Sequence, residues 1–235
     1  MNILNVIGVN KSFGGLKVVN DLSFDVGRGE ITVLTGINGS GKSTVFNLIS
    51  GILNPDSGKI IFDGVDITNL PIEKISNIGI LRAFQHPRLF NNLTVKENLL
   101  LSLDSNDTKF WKNLIGYKIG EEKITSALNL IEMETFKEKT ARCLSYGQKR
   151  LVELGRAVIG QYKFLMLDEP ASGLSPKLKE KIGELILFLK KEGKTIFFIE
   201  HDMDFALKIA DTVILIDEGK QVSAGINEKI RTQLI

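Results

Sequence analysis

The sequence has little cysteine, no long apolar run and almost no net charge. Cys143 is the only cysteine, which excludes an intrachain disulfide and makes a reducing compartment the simplest expectation. No stretch approaches the roughly 18 uninterrupted apolar residues of a membrane-spanning helix, so we expect any membrane role to depend on a partner. Lysine and arginine number 30 against 28 acidic residues, a formal net charge of +2. Such a balance gives little electrostatic attraction to nucleic acid, and we expect no nucleic-acid partner.

The composition is that of an ordinary globular protein. Hydrophobic residues make up 43% and charged residues 25% of the chain, which argues against disorder. The 235 residues suit one large domain or two small ones. Residues 1–10 lack a basic segment followed by an apolar segment and a cleavage site, so we expect no secretory signal.

Short apolar runs alternate with longer helical patterns, which is typical of an α/β fold. Buried parallel strands are predicted where these runs are nearly continuous, at residues 31–35, 164–167, 195–199 and 212–216. Shorter strands joined by turns indicate an antiparallel β piece, at residues 3–9, 22–25 and 60–62. The middle of the chain is mostly helical in pattern, except that residues 104–120, with the only tryptophan, Trp111, give no legible pattern.

One segment has the residues and spacing of a phosphate-binding loop. It fits the pattern G-x-x-x-x-G-K-[ST] and lies between a predicted strand and a predicted helix. Its glycines let the backbone turn its N–H groups towards the phosphates, and the helix start adds its positive end. Lys42 supplies a cation to the phosphates, and Ser43 offers its hydroxyl to Mg²⁺. The predicted nucleotide-binding positions are Gly36, Ile37, Asn38, Gly39, Ser40, Gly41, Lys42, Ser43 and Thr44.

A second segment, Leu167-Asp168-Glu169-Pro170, ends a predicted buried strand with two acids. In enzymes with a phosphate loop of this kind, an acid at the end of such a strand holds Mg²⁺, and Asp168 fits that role. Glu169 stands beside it and is predicted to accept a proton from the attacking water or to orient that water. The two segments together predict a P-loop enzyme.

Further segments give the chain a resemblance to one family of P-loop enzymes. Leu144-Ser145-Tyr146-Gly147-Gln148 precedes a helical pattern and resembles the Leu-Ser-Gly-Gly-Gln signature of the ATP-binding cassette (ABC) ATPases. In the family's order along the chain, Phe13 resembles the aromatic residue under adenine, Gln85 the glutamine loop and His201 the switch histidine. Residues 171–175 resemble the loop after the glutamate. The resemblance covers essentially the whole chain.

The resemblance implies a role for each of these positions. Phe13 stacks on the adenine of ATP. Gln85 reaches Mg²⁺ or the attacking water through its amide, as a metal ligand and a catalytic residue. His201 donates to the γ-phosphate and joins Glu169 among the catalytic residues. Asp168 and Ser43 complete the magnesium site.

The signature implies a second subunit. Ser145 and the backbone of Gly147 stand at a helix start and are expected to bind a γ-phosphate, with Gln148 beside them. In this family the signature cannot reach its own Lys42, so two subunits sit head to tail and enclose ATP between them. The partner is another copy of the chain or a paralogue. Tyr146 replaces the first glycine of the signature, and its side chain is expected to point away from the phosphate.

The same resemblance implies the fold. It is an α/β fold with a P-loop NTPase (RecA-like) core, an antiparallel β subdomain and an inserted α-helical subdomain. We expect one domain over residues 1–235. Its nucleotide-binding core and β subdomain occupy about residues 1–84 and 160–235, and the helical subdomain with the signature occupies about residues 85–159.

The segments around Gln85 and His201, with the tyrosine form of the signature, look like those of branched-chain amino acid importers. This implies a motor at the cytoplasmic face of the cell membrane, held there by integral permease subunits, with a substrate-binding protein delivering the substrate. Urea and short-amide importers and lipopolysaccharide-export ATPases share much of the pattern and remain alternatives. Soluble ABC ATPases of ribosomes or DNA repair form a different class, whose members usually carry two cassettes or long coiled coils. A P-loop kinase would need neither Ser145 nor His201.

Overall fold

Strands and helices alternate along most of the chain, as the sequence predicts. The structure is a computed structural model that describes residues 1–103 and 113–226. Trp111 and most of the segment without a legible pattern therefore lie outside the described residues. Among the helices that the structure describes, none combines the length and the apolar character needed to cross a bilayer.

The described strands and helices have the following bounds. The strands are β1 (Asn2–Phe13), β2 (Leu16–Gly27), β3 (Ile31–Thr35), β4 (Ser57–Phe62), β5 (Val65–Asp66), β6 (Ile80–Ala83), β7 (Phe164–Asp168), β8 (Thr195–Ile199), β9 (Thr212–Asp217) and β10 (Lys220–Ile226). The α-helices are α1 (Lys42–Ile49), α2 (Ile72–Asn77), α3 (Val95–Leu100), α4 (Asn113–Leu130), α5 (Tyr146–Ile159), α6 (Pro176–Lys191) and α7 (Met203–Ile209).

The smaller sheet is the antiparallel piece that the short strands predict. Within the described residues its strand order is β2-β1-β4-β5. Leu4 lies opposite Phe62 and Val6 opposite Ile60 in the antiparallel pair of β1 and β4. All four side chains are buried, because alternate residues of a strand point to the same face and here that face covers the core.

The larger sheet places the ends of three buried strands side by side. Its strand order in the described chain is β10-β9-β3-β8-β7-β6. β3 pairs in parallel with β8, and β8 pairs in parallel with β7. Every residue of β3 and β8 is buried, as near-continuous apolar runs predict for parallel strands. Since the three strands run in one direction, the loops that follow them leave from one edge of the sheet.

The described chain divides into two compact units. Within the described residues, the first holds the two sheets and comprises residues 1–82, 162–172 and 186–226, and the second comprises residues 83–103, 113–161 and 173–185. These units differ from the boundaries predicted from the sequence at residues 173–185, which are expected in the nucleotide-binding core but lie in the second unit.

The second unit has its own packed interior. Gly155 of α5 lies so close to Leu99 and Ile131 that a Cβ there would approach the Cδ1 atom of Ile131 to 2.7 Å. Asn98 is buried and fixes the segment before α3, because its amide oxygen accepts from the Phe90 N–H at 2.9 Å and its amide nitrogen donates to the Phe90 carbonyl at 3.1 Å.

Candidate functional site

The predicted phosphate loop connects β3 to α1, as the motif requires. Two of its glycines occupy positions that no larger residue could take. A Cβ on Gly36 would lie 2.1 Å from the carbonyl oxygen of Ile216, and one on Gly41 would lie 2.7 Å from that of Val18. Gly41 also has a φ of 101°, in the left-handed region that favours glycine. The loop is therefore shaped by its backbone and by strands that pack against it.

Lys42 opens α1 and is buried, with 6% of its surface exposed. Its Nζ donates to the carbonyl oxygens of Gly36 at 2.8 Å and Ile37 at 2.7 Å. Burial lowers the pKa of the Lys42 ammonium, while the negative charge of Glu169 acts in the opposite direction. The Lys42 ammonium is thus held within the loop by hydrogen bonds to two backbone carbonyl groups.

The rest of the loop presents polar groups that fit a phosphate chain and a hard cation. The Ser40 hydroxyl is buried, with no hydrogen-bond partner among the described residues. Ser43 is exposed and Thr44 half-buried on the first turn of α1. The Ser40 carbonyl accepts from the N–H of Gly219 at 3.1 Å. The turn between β9 and β10 therefore braces the loop, a contact that the sequence analysis did not foresee.

Asp168 lies at the end of β7 and faces an arginine from the adjacent edge strand. Its Oδ2 is 3.4 Å from a guanidinium nitrogen of Arg82, and both side chains are largely buried. The same guanidinium donates to the side chains of Asn47 and Ser50, each at 2.8 Å. Arg82 therefore links Asp168 to the helix that follows the phosphate loop, and sequence reasoning missed this role.

Glu169 and His201, both predicted to be catalytic, are brought together. The His201 Nε2 lies 3.4 Å from Oε1 of Glu169, and both side chains are partly exposed. Glu169 has a φ of 45°, which is unusual for a residue with a side chain. Its N–H donates to the carbonyl of Ile199 at 3.1 Å, so its backbone is tied to the neighbouring strand β8.

Phe13 ends β1 and is 45% exposed. The Nζ of Lys11 lies 5.6 Å from the ring centroid. An exposed ring beside a cation is suited to stacking on a planar base, which is the role that the family resemblance implies.

The signature residues Ser145, Gly147 and Gln148 belong to the second unit, where they form the start of α5. Ser145 is the N-cap: its hydroxyl oxygen accepts from the Gln148 N–H at 3.3 Å, and its own N–H donates to the Gln148 side chain at 2.9 Å. This capping box fixes the first turn of the helix. Gly147 packs against Leu178, whose Cδ2 would be 2.2 Å from a Cβ at that position.

Gln85 also belongs to the second unit, where its backbone contacts the signature. The Tyr146 hydroxyl donates to the Gln85 carbonyl oxygen at 2.9 Å. The Tyr146 ring also meets the ring of His86 edge-on, with centroids 6.5 Å apart. The tyrosine that departs from the usual signature therefore joins the signature helix to the glutamine loop, a contact that the sequence did not reveal.

These elements define a class of protein. A buried parallel strand, a glycine-shaped phosphate loop and a helix opening on a buried lysine form a nucleotide site of the P-loop type. The paired carboxyl and imidazole groups stand in the loops that follow the neighbouring strands β7 and β8, and a capped helix in the second unit carries the signature. This is the construction of an ATP-binding cassette.

Comparisons with known proteins identify the family. Residues 19–172 match the family described as ABC transporter. The chain is 37% identical over 238 residues to the high-affinity branched-chain amino acid transport ATP-binding protein BraF of Pseudomonas aeruginosa, covering 97% of this chain and 93% of that protein. It is 36% identical over 235 residues to the probable branched-chain amino acid transport ATP-binding protein LivG of Archaeoglobus fulgidus, covering 98% and 91%. A crystal structure of the ADP conformation of an ATP-binding cassette of an ABC transporter superposes with a TM-score of 0.84 at 34% identity, covering 99% and 94%.

The chain therefore belongs to the ABC transporter family. The predicted family, the P-loop α/β fold class and the activity as an ATPase are confirmed. The individual site residues remain predictions.

Proposed function

We propose that the chain is the ATP-hydrolysing subunit of an importer for branched-chain or other hydrophobic amino acids. The similarity to two branched-chain amino acid transport ATP-binding proteins extends over nearly the whole chain and supports this substrate class. In this proposal the chain binds integral permease subunits at the cytoplasmic face of the membrane, and a substrate-binding protein delivers the amino acid to the permease. No residue of this chain touches the transported amino acid.

The nucleotide is bound mainly through the phosphate loop. The loop N–H groups and the start of α1 face the phosphates, and the buried ammonium of Lys42 exchanges its contacts with loop carbonyls for contacts with phosphate oxygens. Phe13 stacks on the adenine. These groups bind ATP and orient its γ-phosphate without taking part in proton transfer.

The oxygen donors of the site fit Mg²⁺. Ser43 would supply a hydroxyl and Asp168 a carboxylate, and hard oxygen donors are those that Mg²⁺ takes. Bound Mg²⁺ neutralises negative charge on the phosphate oxygens. Arg82 keeps the Asp168 carboxylate in place through its own bonds to Asn47 and Ser50.

The observation that carries the hydrolytic role is the 3.4 Å approach of Glu169 to His201. Glu169 accepts a proton from the attacking water or orients that water. His201, which lies beside that carboxylate, donates to the γ-phosphate. A carboxylate and an imidazole on adjacent strand ends can thus act on water and phosphate together.

A second subunit completes the site. The Ser145 hydroxyl uses its oxygen to cap α5 and keeps its proton available to donate, and the exposed start of the helix is favourable for an anion. In the proposed head-to-tail pair, the signature of one subunit binds the γ-phosphate held by the loop of the other subunit. The pair forms from two copies of the chain or from this chain and a paralogue.

The variant Glu169→Gln tests the hydrolytic role. It keeps the size of the side chain and leaves Lys42 and Asp168 intact, so we expect ATP binding to continue while turnover falls steeply. Both half-sites then hold ATP, and size-exclusion chromatography should show an ATP-stabilised dimer. The exposed residue Glu192 provides a matched control through Glu192→Gln. Normal turnover by Glu169→Gln, with no dimer in ATP, would show that the assigned base is wrong.

The substrate class needs the assembled transporter. Co-purification from membranes should recover permease subunits, and leucine, isoleucine or valine with the binding protein should stimulate ATP hydrolysis by the complex. Stimulation by urea or a short amide alone would assign the chain to the alternative importers.

A further inference from the structure

A buried carboxylate connects the two loops that carry Glu169 and His201. Glu200 follows β8 directly and is only 2% exposed. Its Oε2 accepts from the N–H of Ala171 at 3.2 Å, in the loop after β7. Its Oε1 accepts from the N–H groups of His201 at 3.0 Å and Asp202 at 3.3 Å. The Glu200 side chain thus accepts hydrogen bonds from three backbone N–H groups, one in the loop that follows Glu169 and two in the segment that begins with His201.

The chemistry of these bonds requires a carboxylate. Each of its two oxygens accepts from a different loop, and a carboxylate is the side chain that accepts at both ends. Burial raises the pKa of Glu200, whereas the three N–H groups lower it. Burying this acid carries a free-energy cost that an apolar side chain would avoid. The contacts therefore suit a role in placing the two loops better than a role in general stability.

His201 is held between two fixed points. On one side Glu200 bonds its N–H, and on the other side Asp202 caps α7 by accepting from the Phe205 N–H at 3.1 Å. Glu169 is also fixed to this strand, since its N–H donates to the Ile199 carbonyl. The imidazole and the carboxylate that meet at 3.4 Å thus stand on backbone segments joined through Glu200.

We infer that Glu200 is a positioning residue for ATP hydrolysis, which bonds the backbone of both loops and so sets the approach of His201 to Glu169. The inference rests on the proposed catalytic roles of Glu169 and His201. Glu200 itself touches neither nucleotide nor water in this scheme. Its loss should reduce turnover much more than ATP binding, because the phosphate loop and Lys42 do not depend on it.

Two substitutions separate the parts of this role. Glu200→Gln keeps the volume, but its amide nitrogen is a donor and cannot accept from the N–H that it faces, so the bond to one loop is lost. Glu200→Ala removes the bonds to both loops. In the full-length protein we expect a fall of about tenfold or more in kcat for either variant, because small misplacements of catalytic groups are costly. We expect the dissociation constant for ATP to stay within about threefold of the wild-type value, because Glu200 affects the catalytic step and not ATP binding.

The histidines supply a readout that general destabilisation would not mimic. The chain has two, His86 and His201, so their ring resonances can be assigned by NMR, with His86 as the internal reference. In the unaltered chain, Glu169→Gln should shift the His201 ring resonances because the two side chains are in contact. In the Glu200→Ala background the same change should produce a clearly smaller shift.

The outcomes decide between the possibilities. Reduced kcat with a weakened Glu169–His201 response supports the inference, and normal kcat with an unchanged response overturns it. If Glu200→Ala does not fold, Glu200→Gln carries the test, and failure of that isosteric variant to fold also overturns the inference because it assigns Glu200 to stability. Glu169→Gln and Glu192→Gln run in parallel. If Glu169→Gln keeps full turnover, the proposed function itself has failed, whereas a loss confined to Glu169→Gln refutes the role of Glu200 alone.

Discussion

Replacement of Lys42 by alanine is the sharpest test of the phosphate site. The change removes the side chain of a lysine that is only 6% exposed and whose Nζ donates to two loop carbonyls. Two net contributions of about 1 kcal/mol each are lost with these hydrogen bonds. Removing a desolvated cation offsets part of that loss, since burial already lowers the pKa of Lys42. We therefore expect the fold to be kept, with a change of a few degrees in Tm.

The effect on the nucleotide should be far larger. Truncating one partner of a buried, hydrogen-bonded charge contact costs about 2–5 kcal/mol. At 1.4 kcal/mol per tenfold change, ATP binding should weaken by roughly 30- to 4,000-fold. Hydrolysis should be nearly lost, because the γ-phosphate is no longer oriented against the attacking water.

Calorimetric titration with ATP, thermal melting and an ATPase assay together measure these effects. Lys191→Ala is the matched control, because Lys191 is an exposed lysine in the last turn of α6. The control should bind ATP and hydrolyse it normally. A folded Lys42→Ala protein with unchanged ATP affinity and turnover would refute the assignment of Lys42 to the phosphates.

The remaining predictions concern the second unit and the buried acid. Phe90 is 56% exposed and its neighbour Leu89 half-buried, and we expect this apolar surface to bind the permease. Leu89→Glu should therefore leave a folded, ATP-binding subunit that no longer assembles with the permease, and normal assembly in a pull-down would contradict this expectation. Tyr146→Phe removes the bond to the Gln85 carbonyl and should reduce stability by about 1 kcal/mol or less and lower ATPase activity, as denaturant unfolding and turnover will show. Burial raises the pKa of Glu200 above 4.5, so the wild type binds more protons folded than unfolded and loses stability as pH rises through that window. The Tm of the wild type relative to Glu200→Gln should therefore fall as the pH rises through the raised pKa of Glu200, and a difference that stays constant with pH would contradict the shift.

Patterns of neighbouring residues predict much of the architecture from the sequence. The strands at residues 31–35 and 195–199 are predicted with the bounds that the structure gives, because parallel strands buried on both faces are nearly continuous apolar runs. The phosphate loop is equally legible, since its function depends on glycines and a lysine at fixed spacing. Both signals lie within a few neighbouring residues.

The antiparallel piece was harder to delimit for a physical reason. The sequence predicts a strand at residues 3–9, whereas β1 runs from Asn2 to Phe13. The pairing of β1 with β2 shifts register between Val6 and Val9 and again beyond Val9. Such irregularities break the alternation of apolar and polar residues, so the sequence pattern does not predict a strand at the polar end of β1.

The contacts that support catalysis could not be predicted because they join residues far apart in the chain. Arg82 reaches Asp168 only because β6 lies beside β7, and Glu200 reaches Ala171 only because β8 lies on the other side of β7. Arg82 and Glu200 both lie in segments that resemble the family, but no local sequence pattern indicates which distant residues they will contact. The strand order decides it.

The proposed site therefore combines phosphate binding and hydrolysis, which depend on different contacts and are lost through different substitutions. The proposed phosphate binding rests on the backbone of one continuous loop and on Lys42, so a short motif encodes the binding groups, while β2, β9 and the turn after β9 pack against the loop and shape it. In the proposed mechanism hydrolysis rests on Asp168, Glu169 and His201, and each of them contacts a group remote in sequence. Asp168 faces the Arg82 guanidinium, the Glu169 N–H donates to the Ile199 carbonyl, and the His201 ring meets the Glu169 carboxylate. Because side chains such as Arg82 and Glu200 position these groups without holding the nucleotide, small structural changes at them can separate ATP binding from ATP turnover. In the proposed head-to-tail pair, a variant that binds ATP without hydrolysing it should hold the two subunits together, as we expect for Glu169→Gln.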